Sequence, residues 1–354
     1  MTVTLTKLSD LVSLGFDQII DVRSPSEFAE DHLPDAINLP VMSDDERAEI
    51  GTLYKQVSPF KARKLGAAYV ARNAAAHLQG PLAERDGGWK PLVYCWRGGQ
   101  RSGAFEVILA QIGWRVGRIE GGYKAWRSLV VEAVHQRPIA PPVILLDGNT
   151  GTAKTEILQL LAARGQQVID LEGLAHHRGS LFGALGAQPS QKMFERDLAL
   201  ALEGLDPAKP LLLEAESAKI GNLRLPGPLW AAICAAPRIA LQAPIAARAH
   251  YLARAYSDLG QDRARLIATI EHLRPYHSAE RIAFWQALAG AGDLTALAAQ
   301  LVEFHYDPRY RSHRARRPLQ AYPLVLEDLD HLEAAADQVM RLIADLPLGR
   351  QTGS

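Results

Sequence analysis

Cys95 stands in the run Tyr94-Cys95-Trp96-Arg97-Gly98-Gly99-Gln100-Arg101-Ser102, a thiol followed by an arginine, two glycines and a second arginine. A cysteine in such company can act as a nucleophile, provided its thiolate is stabilised. Gly98 and Gly99 let the chain curl so that successive backbone N–H groups point inward. That nest, a helix N-terminus, Arg97 and Arg101 together favour an anion at the sulfur. A cysteine that merely fills a core needs neither the glycines nor the arginines.

A second run suits phosphate chemistry. Gly148-Asn149-Thr150-Gly151-Thr152-Ala153-Lys154-Thr155 follows the pattern G-x-x-x-x-G-K-[ST], with Ala153 where glycine is usual. In such a loop the backbone amides cradle phosphates, the lysine contacts them and the hydroxyl, here of Thr155, is where Mg²⁺ would bind. A negative φ at Ala153 would accommodate its Cβ, although the methyl narrows the approach to a ligand. Asp170, Glu172, Glu214 and Glu216 stand at or just after the ends of apolar runs and are candidates for the same pocket, since ligands gather at strand C-termini. His177, Arg178, Gln188, His305 and Tyr306 lie in polar, turn-rich strings and are further pocket candidates.

These loops need strands before them and helices after. Short apolar runs at 19–22, 91–95, 143–148, 167–172 and 210–216 read as buried strands alternating with helical patterns. Phe105, Ile108, Leu109 and Ile112 place one helical face after the Cys95 loop, with Gly113 as its stop. Ile157, Leu160 and Leu161 do the same after Thr155. Ser24-Pro25-Ser26-Glu27 is a capping box with proline at the first helical position. The prolines of 136–142 read as a linker, dividing the chain into 1–137 and 138–354. Residues 245–300 are alanine-rich and read as helical, and a last helix is expected over 328–344. The class is therefore α/β with mainly parallel sheets, in two domains.

The 354 residues are 48% hydrophobic and 22% charged, which excludes a largely disordered chain, and two cysteines exclude a disulfide scaffold. No basic and apolar leader opens the sequence and no run nears ~20 apolar residues, so a cytoplasmic protein without a membrane partner is expected.

The segment 21–40, with Asp21-x-Arg23 and His32, Pro34, Ala36, Asn38 and Pro40, joins the Cys95 loop in resembling the rhodanese family over roughly residues 5–130. The rest of the chain extends the likeness. Asp170, Glu172-Gly173, His177-Arg178-Gly179-Ser180, Phe182-Gly183, Gln188-Pro189, Gln191, Phe194-Glu195, Glu214, Glu216-Ser217, Ile220-Gly221, Pro226, His305-Tyr306-Asp307-Pro308 and Tyr310 resemble the tRNA 2-selenouridine synthase family. Departures are Ala153 and Gln100, where methionine is usual.

The resemblance implies a rhodanese-like parallel-sheet domain followed by a P-loop NTPase-like α/β domain with a helical C-terminal part. It also implies an enzyme that converts 2-thiouridine at the tRNA wobble position to 2-selenouridine in two stages. The thiocarbonyl sulfur first attacks geranyl diphosphate, giving an S-geranyl base. Selenophosphate then supplies selenium, and the geranyl thiol leaves. On this reading residues 148–155 hold diphosphate, Cys95 with the Trp96, Arg97, Gly98, Gly99 and Arg101 loop handles selenium, and a selenophosphate-supplying enzyme is a partner. No tightly bound cofactor and no resident metal is expected. Two alternatives stay open, a P-loop ATPase or kinase coupled to rhodanese sulfur transfer, and a rhodanese-like regulatory module.

Net charge is zero, from 39 basic and 39 acidic side chains, but the charge is not evenly spread. Residues 219–317 carry 14 basic against 7 acidic groups and end in RYRSHRARR. Arg309, Arg311, Arg314, Arg316 and Arg317 are accordingly the candidate contacts to a tRNA backbone, because a guanidinium pairs with phosphate in a bidentate fork.

Overall fold

The computed structural model describes residues 1–177, 186–215, 217–255, 262–315 and 320–346, with residues 312–315 described by backbone alone. The chain divides into two compact units. One is Met1–Arg137 with Pro189–Gly204, and the other is Pro138–Gln188 with Leu205–Ser354. The segment Pro189–Gly204, which a cut at residue 137 assigns to the second domain, thus packs with the first. Its helix Gln191–Glu203 does so through buried ion pairs, Glu195 with Arg127 and Arg196 with Asp31.

In the first unit β1 (Thr2–Val3), β2 (Gln18–Asp21), β3 (Ala36–Asn38), β4 (Pro91–Tyr94) and β5 (Gly117–Ile119) form one parallel sheet in the order β1-β5-β4-β2-β3. From β2 the chain crosses outward to β3, and from β4 it crosses the opposite way to β5. The crevice at such a reversal opens at the strand C-termini, which is where Cys95 follows β4. Ile20, Val22, Val93, Phe105 and Leu109 are fully buried around this strand pair. The strand is uniformly apolar because it is covered on both faces.

The second unit repeats the logic. β6 (Val143–Gly148), β7 (Gln167–Ile169), β8 (Leu211–Glu214), β11 (Arg238–Gln242) and β12 (Ala321–Val325) run parallel in the order β12-β11-β6-β8-β7, beside a small antiparallel pair, β9 (Lys219–Ile220) and β10 (Leu223–Arg224). β6 is central, with β8 on one side and β11 on the other, so the phosphate loop opens at the reversal. The helices Arg263–Glu271, Ala279–Ala291 and Leu294–Leu301 build a separate apolar cluster around Trp285 and Ile282.

The α/β class with two parallel sheets and a helical C-terminal part is as the sequence implies. The last helix is Leu332–Asp345, shifted from the expected span because Asp328, Asp330 and His331 form a capped turn ahead of it. The sequence reading leaves out β1, β3, β5 and β9 to β12, all of five residues or fewer, with Pro237 just ahead of β11 and Pro323 inside β12. No helix among the described residues is long and apolar enough to cross a membrane.

Candidate functional site

The Cys95 loop leaves β4 and enters the helix Gln100–Gln111 through Gly98 and Gly99, both in the left-handed region at φ 71° and 72°. A Cβ at Gly99 would stand 2.0 Å from Arg118 Nη1, so a larger residue there must displace that guanidinium as well as hold a positive φ. A second helix, Gly122–Val131, ties the loop down by its first amides. Tyr123 N donates to Cys95 O at 2.8 Å and Lys124 N to Trp96 O at 3.0 Å. Cys95 is buried. Its sulfur receives the Ser102 hydroxyl at 3.3 Å and lies 3.8 Å from the Arg97 carbonyl.

The arginines differ from the sequence reading. Arg101 is engaged by Glu27, at 2.7 Å to Oε2 and 3.4 Å to Oε1, and the Arg97 side chain is exposed. Ser102, already in the helix's first turn, takes the place beside the sulfur. Burial works against the Glu27 carboxylate, but Arg101, then Arg47 and the Ser24 amide, more than offset it and hold its pKa below the usual range. Glu27 is also the second half of the capping box, so one carboxylate fixes both the helix Pro25–Glu30 and Arg101. Trp96 is 40% exposed, its ring lying 5.3 Å from that of Tyr123.

Asp21 and Arg23 are framework. Both are buried, Arg23 binds Asp21 through two nitrogens and the Asp31 carbonyl at 2.6 Å, and its guanidinium lies 4.0 Å from the Tyr123 ring centre. Asn38 closes the frame by donating to the carbonyls of Asp21 and Arg23.

In the second unit β6 turns at Gly148 into the helix Lys154–Ala163. Lys154 Nζ donates to Gly148 O at 2.9 Å and Thr152 Oγ1 to Asn149 O at 2.9 Å, curling the loop on itself. Gly151 has φ 87° and faces Leu252 and the Arg248 carbonyl, with no room for a Cβ. Ala153 takes φ 57°, not the negative value that would suit its methyl. A non-glycine residue there costs ~1–2 kcal/mol, and the buried methyl packs in the apolar core with Ile157 and Leu241.

Thr155 Oγ1 lies 3.1 Å from Glu214 Oε1 and 3.4 Å from Glu172 Oε2, and the Glu172 amide donates to Glu214 Oε2 at 3.3 Å. The structure thus brings together Thr155, Glu172 and Glu214. One hydroxyl and two carboxylates form a hard-oxygen set of the kind Mg²⁺ selects, with phosphate oxygens and water to complete it. No group of three or more His, Cys, Asp or Glu is arranged to hold a metal among the described residues.

Other candidates have structural work. Asp170 caps the helix Leu171–Leu174, accepting from Gly173 N at 2.6 Å. Gln188 is a brace, donating to the carbonyls of Ala175 and Ile220 and accepting from Asn222 N at 2.7 Å. His177 is half-buried, its amide bonded to Glu172 O. His305 is buried within a π-helical turn, Val302–Tyr306, its Nδ1 2.9 Å from His277 Nε2. Burial, with Arg309 and His277 nearby, pushes its pKa down to about 4. Tyr306 packs edge-on against it. Arg309 and Arg311 are exposed, with Arg309 4.5 Å from the Tyr276 ring centre. Arg178, Glu216, Arg316, Arg317 and the Arg314 side chain lie outside the described residues.

Sequence reading missed what braces the phosphate loop. Arg248, buried on the helix Ile245–Ala255, donates to the Thr150 carbonyl from two nitrogens at 2.8 and 2.9 Å and pairs with Asp307 at 2.7 and 2.9 Å. Asp307 also accepts from Asn149 Nδ2 at 2.8 Å, and Tyr310 OH lies 3.4 Å from Thr150 Oγ1. Nothing local marks Arg248, since an arginine in an alanine-rich helix reads as a solvated charge.

Residues 4–129 match a rhodanese-like domain model, and residues 141–278 match the model of the tRNA 2-selenouridine synthase AAA domain. Three proteins named tRNA 2-selenouridine synthase are similar to this chain. That of Shewanella loihica is 38% identical across 72% of this chain and 71% of its own. For Aeromonas salmonicida the identity is 38% across 70% and 67%, and for Chromohalobacter salexigens 35% across 90% and 94%. With likeness of this extent, and with both loops inside the matched residues, the chain belongs to the tRNA 2-selenouridine synthase family.

Proposed function

We propose that this protein exchanges the sulfur of a 2-thiouridine at the wobble position of tRNA for selenium, with diphosphate chemistry at residues 148–155 and selenium chemistry at Cys95. The observation that carries the reading is that one chain holds two differently built anion loops, one with a buried thiol and one with a lysine, a hydroxyl and two carboxylates. In the first stage the thiocarbonyl sulfur attacks C1 of geranyl diphosphate. The C–O bond breaks and diphosphate leaves with the electron pair. Lys154 and the loop amides would meet that growing negative charge, which is where donors accelerate the step most. Mg²⁺ at Thr155, Glu172 and Glu214 would supply further charge neutralisation. S-alkylation converts a poor leaving group into a thiol that a nucleophile at C2 can displace. In the second stage the selenium of selenophosphate bonds to C2 as the C–S bond breaks and geranyl thiol departs, and water then cleaves the Se–P bond, releasing phosphate and leaving 2-selenouridine. The Ser102 hydroxyl, within hydrogen-bond reach of Cys95, would stabilise a charged sulfur or selenium there.

Mass spectrometry of wobble nucleosides tests this. Thiolated tRNA with geranyl diphosphate should yield the S-geranyl base, and adding selenophosphate should yield 2-selenouridine. Selenouridine formed without geranyl diphosphate would refute the two-stage order.

A second reading draws on one feature. A hydroxyl between two carboxylates also suits Mg²⁺-ATP, so the loop would serve an ATPase or kinase. ATP hydrolysis stimulated by tRNA would favour it, whereas diphosphate release without ATP consumption favours the first.

A further inference from the structure

The turn joining the helices Asp44–Gln56 and Pro59–Gln79 takes no part in either loop, yet its surface is unusual. Tyr54, Val57 and Phe60 are 53, 63 and 69% exposed, three large apolar side chains left in water within seven residues. A lone exposed hydrophobe is ordinary, but a cluster marks a contact surface. Lys55, Lys61, Arg63 and Lys64 surround them, all exposed and, among the described residues, with no hydrogen bond or ion pair to their side chains. No acidic residue occurs between Glu49 and Glu84.

Stability does not explain this placement. The first helix puts Asp44, Asp45 and Glu46 in its first turn, where the helix dipole favours acids. The second has no acid there, and Lys61 sits in its first turn, against the dipole. Phe60 lies three residues before Arg63 and four before Lys64, so the ring and both cations are neighbours on one helical surface. An exposed ring bordered by free cations fits an unpaired nucleobase, with the ring stacking on the base and the cations meeting phosphates.

We propose that the Tyr54–Lys64 turn is an RNA-binding surface, on which Tyr54 and Phe60 stack unpaired bases while Lys55, Lys61, Arg63 and Lys64 contact the backbone. The inference rests on the reading that the substrate is a tRNA and adds where the first unit holds it. A second copy of the chain is the less favoured occupant, since four like charges would then face four.

The test is fluorescence anisotropy of a tRNA transcript titrated with the full-length protein over a salt series. The triple variant Lys61→Gln, Arg63→Gln, Lys64→Gln should lower the slope of log affinity against log salt by about 2–3. Phe60→Ala should weaken binding about tenfold, and Phe60→Trp should retain it. All these positions are exposed, so each variant should melt like the wild type. Unchanged slope and affinity in both variants overturns this surface alone, as does loss of self-association in sedimentation with RNA binding intact. Failure of the wild type to bind the transcript at any salt overturns both this surface and the tRNA reading.

Discussion

The Cys95 loop and the phosphate loop meet the same backbone demand by different means. Each leaves a buried parallel strand at a reversal of sheet order and must pass through the left-handed region to start a helix. The Cys95 loop does this with Gly98 and Gly99, residues for which a positive φ costs nothing. The phosphate loop does it with Ala153, against the preference of any residue bearing a Cβ, and is held from outside by Arg248 and Asp307. The first conformation is written into its own residues, whereas the second is imposed by a helix about a hundred residues downstream and another further still.

The largest effect should therefore come from the external brace. Arg248→Met strands Asp307 and the Thr150 carbonyl, and removing one partner of a buried pair costs ~3–5 kcal/mol. Denaturant unfolding should register that loss and diphosphate binding should weaken, while the alkylation rate of Cys95 stays as in the wild type. Asp307→Asn, which keeps a hydrogen-bonding side chain, should fall between. A slowed or accelerated Cys95 would show that the two loops do not depend on separate supports.

Acid should separate the regions next. His305, in the second unit, titrates near 4 in the folded state against an ordinary value of 6.5. Above about 6.5 the group is neutral in both states and costs nothing. As pH falls from there toward 4 the unfolded chain binds a proton that the folded chain refuses, so stability declines by up to a few kcal/mol. His305→Gln should flatten that part of the stability curve. An unchanged slope would mean that other groups govern it.

Gly99→Ala asks the converse question of the Cys95 loop. A positive φ costs ~1–2 kcal/mol, and the new methyl also displaces Arg118 from its place near Glu106, so melting temperature should drop and Cys95 reactivity should change. Ala153→Gly should do least. Relief of the left-handed strain is offset by the lost buried methyl and a looser unfolded chain, leaving stability within about 1 kcal/mol of the wild type. A loss well beyond that would show that the methyl, rather than the brace, fixes the loop.

Much of this is legible in the sequence wherever the cause is local. The helix after Cys95, its glycine stop and the Ser24–Glu27 capping box all rest on spacing within one turn or two, and the structure has them. Strand ends were less exact, because Asp170 reads as the end of a strand but serves as a helix cap. What could not be read is long-range. The salt bridge of Arg101 with Glu27 spans 74 positions and that of Arg248 with Asp307 spans 59, so no window of sequence reveals that the first arginine is spoken for or that the second is a brace. The same applies to Gln191–Glu203, a helix the sequence reading does not place and whose unit no window of sequence reveals.

The most direct measurement follows wobble nucleosides by mass spectrometry in two variants. With all substrates present, Cys95→Ser should accumulate the S-geranyl base and form no selenouridine. Lys154→Ala should leave 2-thiouridine untouched, yet convert tRNA already bearing the S-geranyl base to selenouridine. Full selenation by Cys95→Ser, or failure of Lys154→Ala on the geranylated tRNA, would contradict the assignment of one step to each loop.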